Sequence, residues 1–171
     1  MTPTAQAYHL AQLNIARPVA PPDSPEMAGF YSRLDEVNAL ADAAPGFVWR
    51  LVDDDGANAT ALRPYGPDIM VNLSVWESVE AVYDFAYRTA HLDVVRRRRE
   101  YFDHEGLAAY AVLWWVPAGT LPSPVEAKAR LDLLAREGAT PDAFTFRERF
   151  PPPTEPVGEP ARSSGAARRS S

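Results

Sequence analysis

The sequence contains no cysteine, which excludes disulfides, thiolate nucleophiles and cysteine-ligated zinc or iron–sulfur sites together. It has no run approaching the ~18 apolar residues of a membrane-spanning helix. MTPTAQAYHL, at the N-terminus, lacks the basic and apolar regions of a secretory leader, so the expected location is cytoplasmic. There is no excess of positive charge: the net charge is -6 and the pI about 5.1, which argues against a nucleic-acid partner. Only 3 histidines occur, with no HxxxH or HxH pair, so no metal site is expected. A haem held by one axial histidine needs no spacing motif and stands as a minor alternative. GxGxxG, GxxxxGK[ST] and GxSxG are all missing, which removes the main support for dinucleotide, nucleotide and Ser-hydrolase chemistry.

What is present is alternation. Ile69, Val71, Leu73 and Val75 point one way; Met70, Asn72, Ser74 and Trp76 point the other, as in a strand with two unlike faces. Residues 8–16 repeat the pattern, with Ala11, Leu13 and Ile15 opposing Leu10, Gln12 and Asn14. A proline-rich loop follows. Ser24-Pro25-Glu26 then predicts a helix capped by Ser24, with an apolar stripe of Met27, Phe30, Tyr31, Leu34, Val37, Leu40 and Ala41. Pro45-Gly46 ends it. Residues 47–52 read as a strand in which Phe47, Trp49 and Leu51 oppose Val48 and Arg50. Asp53-Asp54-Asp55-Gly56 lacks the spacing of a calcium loop and reads as a solvated turn, and residues 59–63 as a brief pairing segment.

After Trp76 a helix is expected, with Ser74 and Glu77 or Ser78 as candidate caps and a packing stripe of Val79, Val82, Tyr83 and Ala86. It breaks near Thr89–Ala90 and resumes to Phe102. Residues 109–116, AYAVLWWV, predict a strand buried on both faces. Ser123-Pro124-Val125-Glu126 predicts a capping box opening a helix that runs to Gly138. Residues 143–150 fit an edge strand or a docked arm. Residues 1–150 thus form one domain, and 151–171 a tail whose composition predicts disorder.

The order is βαββαβ plus an extra C-terminal helix and arm, the α+β ferredoxin-like pattern. With both main helices on the aliphatic face, the face carrying Gln12, Asn14, Asn72 and Trp76 would lie bare. A second copy would cover it, so a homodimer closing two sheets into a barrel is expected.

NLSVWESVEAVYDFAYRTAH resembles the strand-to-helix signature of the antibiotic-biosynthesis-monooxygenase-like dimeric α/β-barrel superfamily, with its tryptophan at a strand end and a downstream histidine. HLAQLNIAR, PGFVWRL, NLSVWES, RRRREYF and LWWVPAG together resemble the DUF3291 domain family over about residues 8–150. The resemblance implies the dimeric barrel. It implies little about reaction, because members of the superfamily range from cofactor-free oxygenases and haem enzymes to isomerases, cyclases and non-catalytic proteins.

Two functions follow as expectations. One is a cofactor-independent monooxygenase, isomerase or cyclase acting on an aromatic or polyketide-like substrate. Its expected catalytic residues are His91, moving a proton, and Asn14 and Asn72, holding a carbonyl or enolate oxygen. The other is a non-catalytic dimer that binds a small apolar or aromatic ligand. Gln12, Trp49, Arg50, Trp76 and Trp115 are expected to line the ligand site in either case. Each has a plainer structural role open to it. The amides can bond each other, Arg50 can pair with an acid, and His91 can cap a helix break. Trp114 and Trp115 must face opposite sides of their strand, and Arg96 to Arg99 spread around a helix as solvated charges.

Overall fold

A computed structural model describes residues 7–154. The disorder expected of the tail, beyond residue 154, lies outside them. The chain forms a mixed α+β structure around a five-stranded antiparallel sheet. Strand β1 (Tyr8–Pro18) is central. Along one side it pairs with β3 (Met70–Trp76), which in turn pairs with β2 (Phe47–Arg50). Along the other it pairs with β5 (Ala111–Pro117) and, at Arg17 and Pro18, with the short β4 (Phe102–Asp103). The helices are α1 (Ala28–Asp42), α2 (Val79–Thr89), the single turns α3 (Asp93–Arg96) and α4 (Arg98–Tyr101), and α5 (Pro124–Glu137).

Alternation sorts the strands into two faces, as expected. The aliphatic face comprises Ala11, Leu13 and Ile15, Val71, Leu73 and Val75, and Val112, Trp114 and Val116. The mixed face comprises Leu10, Gln12 and Asn14, Asn72, Ser74 and Trp76, and Leu113 and Trp115, by the register of the ladders.

The layer over each face differs from the expectation. The C-terminal helix α5 seals the aliphatic face through Ala127, Leu131 and Leu134, helped by Leu51 and Tyr65 from the segment between β2 and β3. The Tyr65 hydroxyl donates to the Pro124 carbonyl at 2.7 Å and ties that segment to the start of α5. Both crossover helices lie instead on the mixed face. Ala41 of α1 and Val79 and Val82 of α2 join Leu10, Trp76, Leu113 and Phe144 in one buried cluster. Aromatic rings anchor them there: Trp76 lies 5.3 Å from both Phe47 and Phe85, and Phe30 of α1 lies 4.9 Å from Phe102. Helices of the same chain therefore lie on both faces of the sheet, closing the aliphatic one and leaving the mixed one open at Asn14 and Asn72.

Smaller corrections have local causes. A β-bulge between Phe47 and Trp49 puts Phe47 opposite Trp76 and Trp49 opposite Val75, so these rings face opposite sides rather than sharing one. Phe47 joins the mixed-face cluster and Trp49 packs on the aliphatic one. Ser24 does not cap, because its hydroxyl donates to the Pro21 carbonyl at 2.6 Å and the chain enters α1 through a 3-10 turn, Pro25–Met27. Ser78 caps α2, accepting from Ala81 N at 3.1 Å. Only half of the capping box at 123–126 forms: Ser123 accepts from Glu126 N at 3.1 Å, while the Glu126 carboxylate turns toward Arg130. The packing stripe of α2 is Val79, Val82, Phe85 and Thr89; Ala86 is exposed, and Tyr83, 48 % exposed, instead meets Phe146 and Arg149 of the arm. Residues 59–63 form no strand, because the Arg63 guanidinium gathers the carbonyls of Thr60, Leu62 and Pro67 into a compact loop. The arm at 143–150 forms one backbone bridge to the sheet, Leu113 with Phe144, rather than a strand. Gly46, at φ 81, makes the turn into β2, and a Cβ there would lie 2.6 Å from that of Ala81.

Candidate functional site

Between α1 and the mixed face lies a cavity of about 210 Å³. Asn14 and Asn72 form part of its floor, directly opposite each other across β1 and β3. Phe30, Leu34 and Val37 of α1 form its roof, with Met70 and Phe102 at the sides. Both amides are exposed rather than buried, because the roof leaves the floor open to solvent.

A polar network runs along the floor toward Trp76. Gln12 Nε2 donates to Asn72 Oδ1 at 3.2 Å and to Ser74 Oγ at 2.9 Å. Trp76 Nε1 donates to the same Ser74 oxygen at 2.9 Å. The two asparagines are thus not consumed by a bond to each other.

Arg50 reaches the cavity from β2, but its charge is already answered. It makes a two-pronged pair with Asp42 at the end of α1, Nε to Oδ1 at 2.7 Å and Nη2 to Oδ2 at 3.2 Å. Nη1 donates to the Ala57 carbonyl at 3.0 Å. Asn38, Asn58 and Thr60 complete the polar lining, and no Asp, Glu, His, Lys or Tyr belongs to it. Asn58, not expected from sequence, accepts from the Thr60 amide at 2.9 Å and shapes the rim. Its signal was an Asn between turn residues, which marks a loop and not a site.

Six of the expected site residues share the mixed face: Gln12, Asn14, Arg50, Asn72, Trp76 and Trp115. Three of these, Asn14, Arg50 and Asn72, line the cavity. Trp76 is buried as the aromatic anchor of α2. Trp115 is half-buried, its indole N–H donating to the Phe150 carbonyl at 2.9 Å, so it holds the arm. Trp49 is carried to the other face by the bulge. His91 is exposed in the turn between α2 and α3 and belongs to the lining of neither this cavity nor a second one. The second cavity, about 470 Å³, runs along β5 between Ala109–Leu113 and residues 145–147 and is also bordered by Gln12.

The other histidines are structural in setting. His104 stacks on Tyr110 at 4.0 Å, and His9 is part-buried with Nδ1 enclosed and unpaired. The arginine run behaves as solvated charge: Arg96 pairs with Asp93 at 2.5 Å and Arg97 with Glu100 at 2.7 Å. The hydrogen bond from Arg97 holds the Glu100 carboxyl below the usual range. Burial, and secondarily Asp132, pushes the Tyr65 phenol up to about 12. Among the described residues, no group of three or more His, Asp or Glu is placed to hold a metal ion, and no helix is long and apolar enough to cross a membrane.

The family model of DUF3291, a domain of unknown function, matches residues 9–159. The chain belongs to the DUF3291 family. No curated protein and no solved structure matches it. In this DUF3291 chain the match takes in every strand and helix of the described residues from His9 onward, and with them the whole cavity lining.

Proposed function

We propose that the protein binds a small, uncharged, largely apolar molecule carrying a hydrogen-bond acceptor, held between α1 and the mixed face of the sheet. The observation that carries this reading is the lining itself. Its apolar side chains surround several amides, and its one charged group, Arg50, is neutralised by Asp42. A charged ligand would leave its own charge without an opposite partner in a partly desolvated site, which is costly. The volume, about 210 Å³, is below the usual range for drug-sized ligands and suits a compact ring better than a polyketide or a haem. The site is complete within one chain, so the reading holds for a monomer and a homodimer alike. The strand order β2-β3-β1-β5, with both crossover helices on one face, supports the ferredoxin-like arrangement expected from sequence.

One observation favours a second reading, a cofactor-independent oxygenase, isomerase or cyclase. Asn14 and Asn72 stand opposite each other, as two donors holding an enolate oxygen would. The lining offers no side chain to move a proton, so such chemistry would rely on the acidity of the substrate itself.

The test is a fragment screen by ligand-observed NMR, repeated on Leu34→Trp, whose indole fills the cavity. Binding of carbonyl-bearing fragments that disappears in Leu34→Trp supports the reading. Hits that bind both proteins equally would place the ligand elsewhere and sink it. Conversion of a hit to product under oxygen would favour the second reading.

A further inference from the structure

We infer that Gln12 is a positioning residue that fixes the Asn72 amide with its Nδ2 toward the cavity, so that the site selects ligands bearing a carbonyl-type acceptor over ligands bearing a donor. This deepens the cavity reading above and rests on it.

The hydrogen bonds of the floor run in a fixed sense. The Trp76 indole is a donor only, so Ser74 Oγ must accept at that contact, 2.9 Å long. Gln12 Nε2 has two hydrogens and uses both, one on Ser74 Oγ at 2.9 Å and one on Asn72 Oδ1 at 3.2 Å. The Asn72 oxygen is therefore occupied on the Gln12 side. With Oδ1 held by Gln12, Nδ2 is the Asn72 atom left for the rest of the floor, where Asn14 stands opposite in the ladder and both residues line the cavity. Ser74 and Trp76, 5 % and 2 % exposed, make the far end of the network rigid. A side chain that can rotate freely accepts or donates with equal ease; one held from behind presents a single polarity. Reversing the polarity at residue 12 should therefore reverse the polarity shown to the ligand.

Gln12→Glu is the decisive variant. A carboxylate at this position only accepts, so the Ser74 hydroxyl and the Asn72 NH₂ would turn to donate to it, and Asn72 Oδ1 would face the cavity. Gln12→Met, of similar shape and with no strong hydrogen-bonding group, releases Asn72 to either orientation. The probes are acetophenone, which only accepts, and indole, of similar size, which only donates. Affinities are measured by NMR titration, and thermal melting of each variant controls for folding.

Expected for the unsubstituted protein is a preference for acetophenone of about tenfold, the scale of one misplaced polar group. Gln12→Met should flatten that preference, and Gln12→Glu should invert it. The structural signature is independent of any ligand: NOEs from the Asn72 side-chain NH₂ reach Phe30, Leu34 or Val37 in the unsubstituted protein and the residue-12 side chain in Gln12→Glu. NOEs to Gln12 in the unsubstituted protein, or an unchanged preference in Gln12→Glu, overturn the proposal. If the amide orientation is as stated but neither probe binds, the cavity reading fails first and the selectivity with it.

Discussion

The two faces of this sheet are built from alternate residues of the same strands, yet they carry opposite kinds of surface. The aliphatic face is closed: Ala11, Leu13, Leu73, Val75, Val112 and Trp114 are each at most 2 % exposed beneath α5. The mixed face is closed only at its Trp76 end and opens at Asn14 and Asn72 into a cavity. A closed face can be optimised for packing alone. An open one keeps polar groups that add nothing to stability unless something binds them. The division of labour is therefore within a strand, residue by residue, and substitutions at neighbouring positions should separate stability from binding.

The largest effect is expected at the centre of the closed face. Trp114→Ala removes a fully buried indole under α5 and should cost about 3–5 kcal/mol, read as a shift in the chemical-denaturation midpoint. Trp114→Phe should recover most of that loss, because the indole N–H is buried with no hydrogen-bond partner and its removal forfeits none. If Ala and Phe cost the same, the closed face is not a tightly packed core. Ser123→Ala, which removes the cap of α5, should cost about 1 kcal/mol while leaving fragment binding in the cavity unchanged.

Tyr65 gives the same comparison a pH axis. Its phenol is raised in the folded chain from 10.0 to about 12 by burial and by Asp132. The folded state thus binds its proton more tightly than the unfolded state. Its contribution is full below pH 10, the unfolded value, and is lost as pH climbs toward 12. Denaturation midpoints should fall over that window, and Tyr65→Phe should flatten the fall. A Tyr65→Phe profile parallel to that of the parent would remove Tyr65 as the cause.

Much of this was legible in the alternation. Period two in residues 8–16 and 69–76 sorts the side chains correctly, and by itself it brings Gln12, Asn14 and Asn72 to one face. The covering layer was not legible. Periodicity distinguishes two faces but does not say which helices lie on which. Here the choice follows from aromatic contacts, two of them at long sequence separation, Trp76 with Phe47 and Phe30 with Phe102, and one more local, Trp76 with Phe85. An amphipathic C-terminal helix with a short stripe of Ala127, Leu131 and Leu134 took the other face. The bulge was equally hidden, since Phe47, Trp49 and Leu51 read as regular alternation. His91 follows α2 in the chain, but the turn that carries it leaves it outside the cavity lining, and no local pattern encodes that direction.

The smallest stability effect is expected where the comparison is sharpest, at Asn72. Its neighbours on the same strand, Val71 and Leu73, are 5 % and 2 % exposed and belong to the closed face. Leu73→Ala should cost about 2–5 kcal/mol by deleting buried methyl groups. Asn72→Leu, one residue away, replaces an exposed amide whose one hydrogen bond, 3.2 Å from Gln12, sets its orientation but adds little net stability. Its cost should stay within about 0.5 kcal/mol, the range of ordinary surface changes. Leucine is close to asparagine in size, so the cavity keeps its shape while its floor loses the donor. Carbonyl-bearing fragments should then bind at least several-fold more weakly, with melting temperature unchanged. A large loss of stability in Asn72→Leu would show that the amide network holds the fold together, and the mixed face would then be structural in the same sense as the aliphatic one.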